Sequence, residues 1–283
     1  MILVLAAAIF SVLVSVLLKL MPRHRIDVGQ AVTWNYLAAG ALCLALFDPP
    51  LAQLRSPQTP WPALLALAVV LPSLFLVLAR AVQQAGIVRT DIAQRLSLLL
   101  SLAAAFLLFG EAAGPLKLLG LALGLIAIVA ILARPVASPG QGGGLAALLT
   151  VWVGFAVVDV MLKLVARSGT PFAATLAASF GIAFVLMLAV QLWRHGSGRR
   201  RLDRRSLLAG LLLGALNFGN IICYVRAHQA LPDSPAVVFA TMNIGVVVLG
   251  TLTGILAFGE PTSRWNRAGI ALAVIAIVLI ALA

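Results

Sequence analysis

Long apolar stretches separated by short polar breaks run through the whole of this 283-residue sequence. A helix needs about 20 consecutive apolar residues to cross the hydrocarbon layer of a bilayer. The breaks, at proline, glycine and arginine clusters, cut the sequence into segments of that size. The pattern predicts ten membrane-spanning helices, near residues 1–20, 28–47, 62–84, 89–109, 115–133, 145–166, 170–193, 206–230, 234–257 and 265–283. The predicted fold class is therefore an all-α, polytopic membrane protein.

The composition excludes a water-soluble domain. Hydrophobic residues make up 63% of the chain and charged residues only 10%, whereas soluble domains carry about 25% charged residues. A net charge of +12 would suggest nucleic-acid binding in a soluble protein, but in a membrane protein the distribution of the charge along the chain explains it better. We expect no nucleic-acid partner.

Basic residues alternate from loop to loop. Loops after odd-numbered spans hold twelve arginines, and loops after even-numbered spans hold only Arg55, Lys117 and Arg167. Cytoplasmic loops carry the excess of Lys and Arg. This bias predicts that the loops after odd-numbered spans are cytoplasmic and that both termini lie on the external side of the cell (inner) membrane.

A repeated motif divides the chain into halves. Phe109-Gly110-Glu111 recurs as Phe258-Gly259-Glu260, and each motif is followed nine residues later by a glycine, so the offset is 149 residues. Five spans per half is an odd number, so the second half must enter the membrane inverted. We predict a first five-helix repeat over 1–133, a Pro/Gly-rich linker over 134–144 and a second repeat over 145–283.

Ionisable side chains inside spans are costly in hydrocarbon, so each is a candidate for the solute path. In span six, Asp159 and Lys163 lie four residues apart on one helical face, and could bind a proton and an anionic group or simply neutralise each other. Span four repeats the spacing with Asp91 and Arg95, beside Gln94. We predict Asp159 and Asp91 as proton-coupling candidates, although interfacial snorkelling could also explain the charges of span four.

Polar side chains on other spans complete the predicted solute site. Asn217, Asn220 and Tyr224 follow one face of span eight at spacings of three and four. Amides there can bind a polar solute or link helices. The other predicted solute-binding residues are Lys19, Asn35, Tyr36, Arg80 and Asn243.

Glu111 and Glu260, in the repeated motif, are interpreted as structural, each carboxylate capping the next helix or turn. Nucleotide-binding, zinc-protease and serine-hydrolase motifs do not occur in the sequence, and Cys43 and Cys223 have no metal-ligand spacing. We therefore expect no enzyme activity, no cofactor and no metal site.

The two five-span halves, each closing on Phe-Gly-Glu before a span with Gly120 or Gly269, resemble the drug/metabolite transporter superfamily, its EamA type. Lys19 and Lys163, which end the first span of each half, are part of the resemblance. The resemblance implies a ten-helix inverted-repeat fold and secondary transport, often export, of small metabolites, amino acids or drugs, frequently coupled to protons. Members often carry a proline midway through spans four and nine, and residues 97–101 and 244–250 contain none.

The residues therefore predict a proton- or gradient-driven secondary active transporter of a small polar or zwitterionic metabolite, and the resemblance implies export coupled to protons. Its partners would be the solute, protons and the lipid bilayer. Two alternatives remain open. A flippase for a lipid-linked head group would need a lateral opening, and a lipid-modifying membrane enzyme would need an activated nucleophile or acid/base pair at one interface.

Overall fold

A computed structural model describes residues 1–109, 114–132, 144–233 and 235–282, and in these ranges the chain is helical and contains no strand. The α-helices are α1 (Ile2–Leu20), α2 (Val28–Phe47), α3 (Trp61–Ala85), α4 (Ile87–Arg95), α5 (Ser97–Phe109), α6 (Pro115–Leu132), α7 (Gly144–Arg167), α8 (Phe172–Gly196), α9 (Arg204–Ala230), α10 (Pro235–Phe258) and α11 (Arg264–Leu282). Short 3₁₀ turns at Met21–His24 and Leu51–Arg55 follow α1 and α2.

Nine of the predicted spans correspond to one helix each, with ends within a few residues of those expected. Eight helices among the described residues are long and apolar enough to cross a membrane. The protein is thus a polytopic membrane protein. Most of the predicted linker, together with Glu111 and Gly110 of the first repeated motif, lies outside the described residues.

Span four departs from the expectation of one continuous helix, because it is broken at Leu96 into α4 and α5. No proline or glycine causes the break. Instead, the indole N–H of Trp152 on α7 donates a hydrogen bond of 2.9 Å to the carbonyl oxygen of Leu96. The same carbonyl oxygen also accepts a hydrogen bond of 3.1 Å from the N–H of Leu99, and in an apolar layer the tryptophan supplies a second partner. The break is therefore stabilised in part by a side chain from a distant helix.

Small residues allow the closest helix contacts. A Cβ at Gly210 would lie 2.5 Å from the carbonyl oxygen of Ala31, and one at Gly214 the same distance from that of Asn35. The backbones of α9 and α2 are therefore in direct contact, which glycines four residues apart on one helix allow. Gly120 of α6 packs in the same way against α11, where its Cβ would meet Ile280.

The helix ends form two faces. On one face, Asp27 after α1 pairs with Arg194 at the end of α8 at 3.0 Å, and its N–H donates to Ser206 Oγ at the start of α9. On the other face, a groove is lined by Gln53 to Thr59 after α2 and by Ser168 to Pro171 after α7. Loops after spans one and seven thus share one face, and loops after spans two and six share the other.

Candidate functional site

Two small adjoining cavities lie inside the bundle around the break in span four. The larger, of about 230 Å³, is lined by residues of α4, α5, α7, α9 and α10. The smaller, of about 170 Å³, is lined by residues of α1, α3, α4, α7 and α9. Gln94, Arg95, Phe155 and Asn220 line both. We call the two together the central cavity.

Arg95 lies at the boundary between the two parts of the central cavity, at the last residue of α4. Its Nη2 donates a hydrogen bond of 2.7 Å to Ser11 Oγ on α1, and its Nε is buried without a hydrogen-bond partner in the described structure. A guanidinium remains charged in a protein interior and can bind a carboxylate or phosphate through two parallel hydrogen bonds. Arg95 is therefore suited to bind an anionic group.

Asp159 supplies the opposite charge from α7. Its Oδ2 accepts a hydrogen bond of 2.7 Å from Ser101 Oγ on α5, and the carboxylate interacts electrostatically with Arg95. The pair of opposite charges makes the larger part of the central cavity dipolar. A carboxylate with one remaining oxygen can accept hydrogen bonds from an ammonium group or carry a proton.

Amides and aromatic rings form the rest of the wall. Asn220 Nδ2 donates to the carbonyl oxygen of Ala7 at 2.7 Å, and Asn243 Nδ2 to that of Phe239 at 2.8 Å. Each amide group thus has its oxygen left to accept a further hydrogen bond. Tyr224 packs edge-on against His228, with ring centroids 4.6 Å apart. Phe155, Phe239 and Met242 supply apolar surface.

Asp91 lies behind the central cavity. It is 2% exposed, and its Oδ1 accepts a hydrogen bond of 2.7 Å from Ser15 Oγ, while Oδ2 faces Gly250 of α10. Arg95, one turn further along α4, interacts electrostatically with Asp91 and with Asp159. Asp91 can therefore influence the charge of the cavity through Arg95 without touching a solute.

The structure brings together seven of the thirteen predicted site residues in the lining of the central cavity: Gln94, Arg95, Asp159, Asn217, Asn220, Tyr224 and Asn243. Asn35 is fully buried and accepts a hydrogen bond from Asn217, so it supports the wall from α2. Tyr36 packs in the core against Phe75 and Phe180.

Three predicted residues lie elsewhere. Lys19 lines a vestibule at the face where α1 ends, Arg80 is exposed on α3, and Lys163 is half-buried one turn beyond Asp159 on α7. The sequence reasoning did not single out Ser101, Phe239 and Met242. Ser101 lies one helical turn after Ser97, and a pair of hydroxyls in the otherwise apolar stretch 97–109 was the signal that could have found it.

No group of three or more His, Cys, Asp or Glu side chains that could hold a metal ion occurs within the described ranges. What the central cavity offers is a fixed cation, a carboxylate, free amide oxygens and an apolar wall. Groups of these kinds are the ones that pockets for small polar molecules use to bind and orient them.

Comparison with known proteins agrees with this geometry. The sequence profile of the EamA-like transporter family matches residues 1–133 and 142–282. The chain belongs to the EamA-like transporter family. This family is part of the drug/metabolite transporter superfamily, so the resemblance stated from the sequence is confirmed.

Two relatives carry no assigned activity. An uncharacterized protein of Haemophilus influenzae is 40% identical over 273 residues, which cover 93% of this chain and 92% of the relative. An uncharacterized protein of Pseudomonas aeruginosa is 34% identical over 155 residues, covering 55% of this chain and 51% of the relative. A solved crystal structure with 19% identity matches 98% of this chain and 97% of its own with a TM-score of 0.57, which shows a shared fold.

Proposed function

We propose that this EamA-family protein is a secondary active transporter, without enzymatic activity, that exports a small polar or zwitterionic metabolite across the cell (inner) membrane in exchange for protons. The observation that carries the proposal is that Arg95, the last residue of α4, and Asp159 of α7 line one small cavity. Opposite charges in the interior of a membrane protein mark solute or ion pathways.

A zwitterion fits the chemistry of the central cavity. Its anionic group would bind the guanidinium of Arg95 beside the N-terminus of α5, where helix-end amides also favour negative charge. Its cationic group would bind the carboxylate of Asp159, and its apolar part would pack on Phe155 and Phe239. The volumes of about 230 and 170 Å³ lie at or below the lower end of the range for drug-sized ligands, which favours a small metabolite.

Asp159 is the proposed proton site. A proton on its carboxyl group removes the charge that the cationic group of the solute requires, so proton and solute compete for one side chain. This competition is the simplest arrangement for exchange of one against the other. Asp91, held by Ser15 behind Arg95, is the second proton-coupling candidate.

The proposed division into two inverted repeats, 1–133 and 145–283 with the linker between them, is supported by how the helices pack. In this division α1 corresponds to α7, α2 to α8, α3 to α9, and α4 with α5 to α10, and contacts between the halves then have equivalents. The contact of α1 with α9 matches that of α7 with α3, and the contact of α2 with α9 matches that of α8 with α3. The contact of α1 with α10 matches that of α7 with α4 and α5. Self-equivalent pairs, α2 with α8 and α6 with α11, also pack together. A twofold axis that exchanges the halves produces this pattern.

The two faces support the inverted relation of the halves. Helix α1 and its proposed equivalent α7 end on opposite faces, the first beside Arg194 and the second beside Thr59. With the charge bias of the loops, this favours a cytoplasmic location for the face that carries Asp27 and Arg194, and external termini.

Solute counterflow in proteoliposomes tests the proposal. Vesicles are loaded with each member of a panel of amino acids and other small zwitterions, and uptake of the same labelled solute is followed with and without a pH gradient. A carrier gives saturable counterflow that the gradient accelerates. Movement of labelled lipid head groups without solute counterflow would support the flippase alternative, and covalent change of the lipid would support the enzyme alternative.

A further inference from the structure

The second copy of the repeated motif places one carboxylate at a junction between the halves. Glu260 follows α10 in a turn that Gly259 makes with a φ of +62°. Its Oε1 accepts a hydrogen bond of 2.7 Å from the N–H of Ile87, and its Oε2 one of 3.1 Å from the N–H of Val88. These are free amides at the start of α4. The expected capping role is thus fulfilled, but on a helix of the other half and not on the next helix, α11.

Lys19 completes the same junction from the end of α1. Its Nζ lies 3.1 Å from Glu260 Oε1 and donates a second hydrogen bond, of 3.2 Å, to the carbonyl oxygen of Val82 near the end of α3. One carboxylate of the second half therefore contacts α1 and α4 of the first half directly, and α3 through Lys19. Charge-assisted hydrogen bonds of this kind are about twice as strong as neutral ones.

The backbone around the carboxylate is shaped to fit it. Gly86, at a φ of +91°, and Gly254 on α10 face Glu260 so closely that a Cβ would lie 2.6 and 2.8 Å from its Oε2. Two glycines, a lysine and a helix N-terminus thus surround the carboxylate of Glu260 closely. The pocket is occupied by the protein's own side chain.

The junction forms part of the wall of the vestibule, at the face where α1 ends. The vestibule, of about 510 Å³, is lined by Lys19, Arg23, Arg89 and Glu260 with neighbouring residues, and shares no lining residue with the central cavity. Buried side chains separate the two spaces, among them Ser15, Asp91 and Ile92, which follow Lys19 and Val88 inward by about one helical turn. Where Glu260 is bound, the solute path ends at this layer.

We propose that Lys19 and the N-terminus of α4 form a carboxylate-binding site that the chain fills with its own Glu260, and that this bond is the latch that keeps the cytoplasmic entrance to the central cavity closed. The inference rests on the proposed function, since only a carrier needs one entrance shut while the other is open. Opening the entrance moves the second half away from α1 and α4, and the Glu260 carboxylate leaves the amides of Ile87 and Val88.

The side-chain exposure at the latch suits a bond that forms and breaks. The side chain of Lys19 is 17% exposed and that of Glu260 is 11% exposed, and both line the vestibule. Water at this vestibule can solvate both charges when they separate, so opening avoids the full penalty of leaving a charge unpaired in a dry interior. A fully buried pair would lock the entrance.

The test measures access to the central cavity without any solute. Met242 lines the cavity, and a Met242→Cys reporter in a chain with Cys43 and Cys223 changed to Ala is labelled with a membrane-impermeant maleimide. Labelling is followed in inverted vesicles, which expose the cytoplasmic face, and in whole cells. The Glu260→Gln variant removes the charge and retains the shape of the side chain. Asp48→Asn is the matched control, since Asp48 ends α2 on the opposite face.

The latch predicts that Glu260→Gln raises the labelling rate in inverted vesicles about 10- to 100-fold, the loss expected for a hydrogen-bonded charge, and lowers it in whole cells. Lys19→Met should act in the same direction, and Asp48→Asn should change neither rate. Glu260→Ala should label as fast as Glu260→Gln, and millimolar formate or acetate should slow its labelling again by refilling the pocket. Formate should not rescue Lys19→Met.

Unchanged labelling of folded Glu260→Gln from the cytoplasmic face would overturn the latch. Folding is checked by a single symmetric gel-filtration peak in detergent. If the other variants aggregate, the labelling test is made with Glu260→Asp, which keeps the charge but is one methylene shorter. Because labelling needs no transported solute, a wild-type protein that shows the latch but no counterflow would refute the proposed function and leave the latch standing.

Discussion

Replacing Arg95 by Gln removes the only cation that lines the central cavity within the described part of the chain. Gln keeps a hydrogen-bond donor and so can still reach toward Ser11, which Arg95 Nη2 contacts at 2.7 Å. The substitution therefore removes the charge and the paired donors with a limited change in packing. In the proposed complex with the solute, the guanidinium of Arg95 binds the anionic group of the solute directly.

The expected loss follows from the kind of bond. A hydrogen bond to a charged partner contributes about 1.5–3 kcal/mol, and the buried Nε without a partner offers one such bond beyond those already made. At 1.4 kcal/mol for each factor of ten, the KM for a zwitterion should rise about 10- to 150-fold. Arg95→Lys, which keeps the charge but not the planar fork, should fall between wild type and Arg95→Gln.

Initial rates of counterflow in proteoliposomes, measured over a range of solute concentrations, give the KM. The matched control is Arg55→Gln, which removes a charge from an exposed position in the turn after α2 and should leave the KM unchanged. A KM of Arg95→Gln within a factor of two of wild type, in a protein that inserts normally, would refute direct binding of the solute by Arg95.

Three further predictions concern the proton, the helix break and the packing. Asp159→Asn should abolish the acceleration of counterflow by a pH gradient, because Asn cannot bind and release the proton; a retained gradient effect would assign the proton to another group. Trp152→Phe should lower the free energy of unfolding by about 0.5–1.5 kcal/mol, since it removes the 2.9 Å hydrogen bond to the Leu96 carbonyl, which keeps its bond from the N–H of Leu99, and thermal unfolding in detergent measures it. Gly210→Val should lower the unfolding temperature by forcing α9 from α2, whereas Gly181→Ala, which meets no atom within 4 Å, should not; equal effects would contradict the close contact.

The number and limits of the spans follow from the sequence because bilayer thickness fixes the length of an apolar helix. The break at Leu96 does not. Local sequence around it contains no helix breaker, and the bond that stabilises it comes from Trp152, fifty-six residues away along the chain. A contact of that separation depends on how α7 packs against α4 and α5, which no local pattern specifies.

The candidate site shows the same division. Arg95 and Asp159 could be identified from the cost of charges in hydrocarbon, and they line one cavity. The sequence could not show that Tyr224 joins these two residues in the cavity while Tyr36 does not, because both tyrosines lie in apolar spans near asparagines. Tyr36 instead packs between aromatic rings of α3 and α8. Likewise, the motif of Glu260 indicated a cap, but the helix that it caps belongs to the other half.

Exchange of a zwitterion compared with its two half-charged analogues tests the central claim most directly. Proteoliposomes containing the protein are loaded with a zwitterion that shows counterflow, and its exchange is set against that of the amide, which lacks the anionic charge, and of the deaminated acid, which lacks the cationic one. Opposed binding by Arg95 and Asp159 predicts that each analogue exchanges at least about tenfold more weakly than the zwitterion. Equal exchange of all three molecules would contradict a solute site built on these two charges.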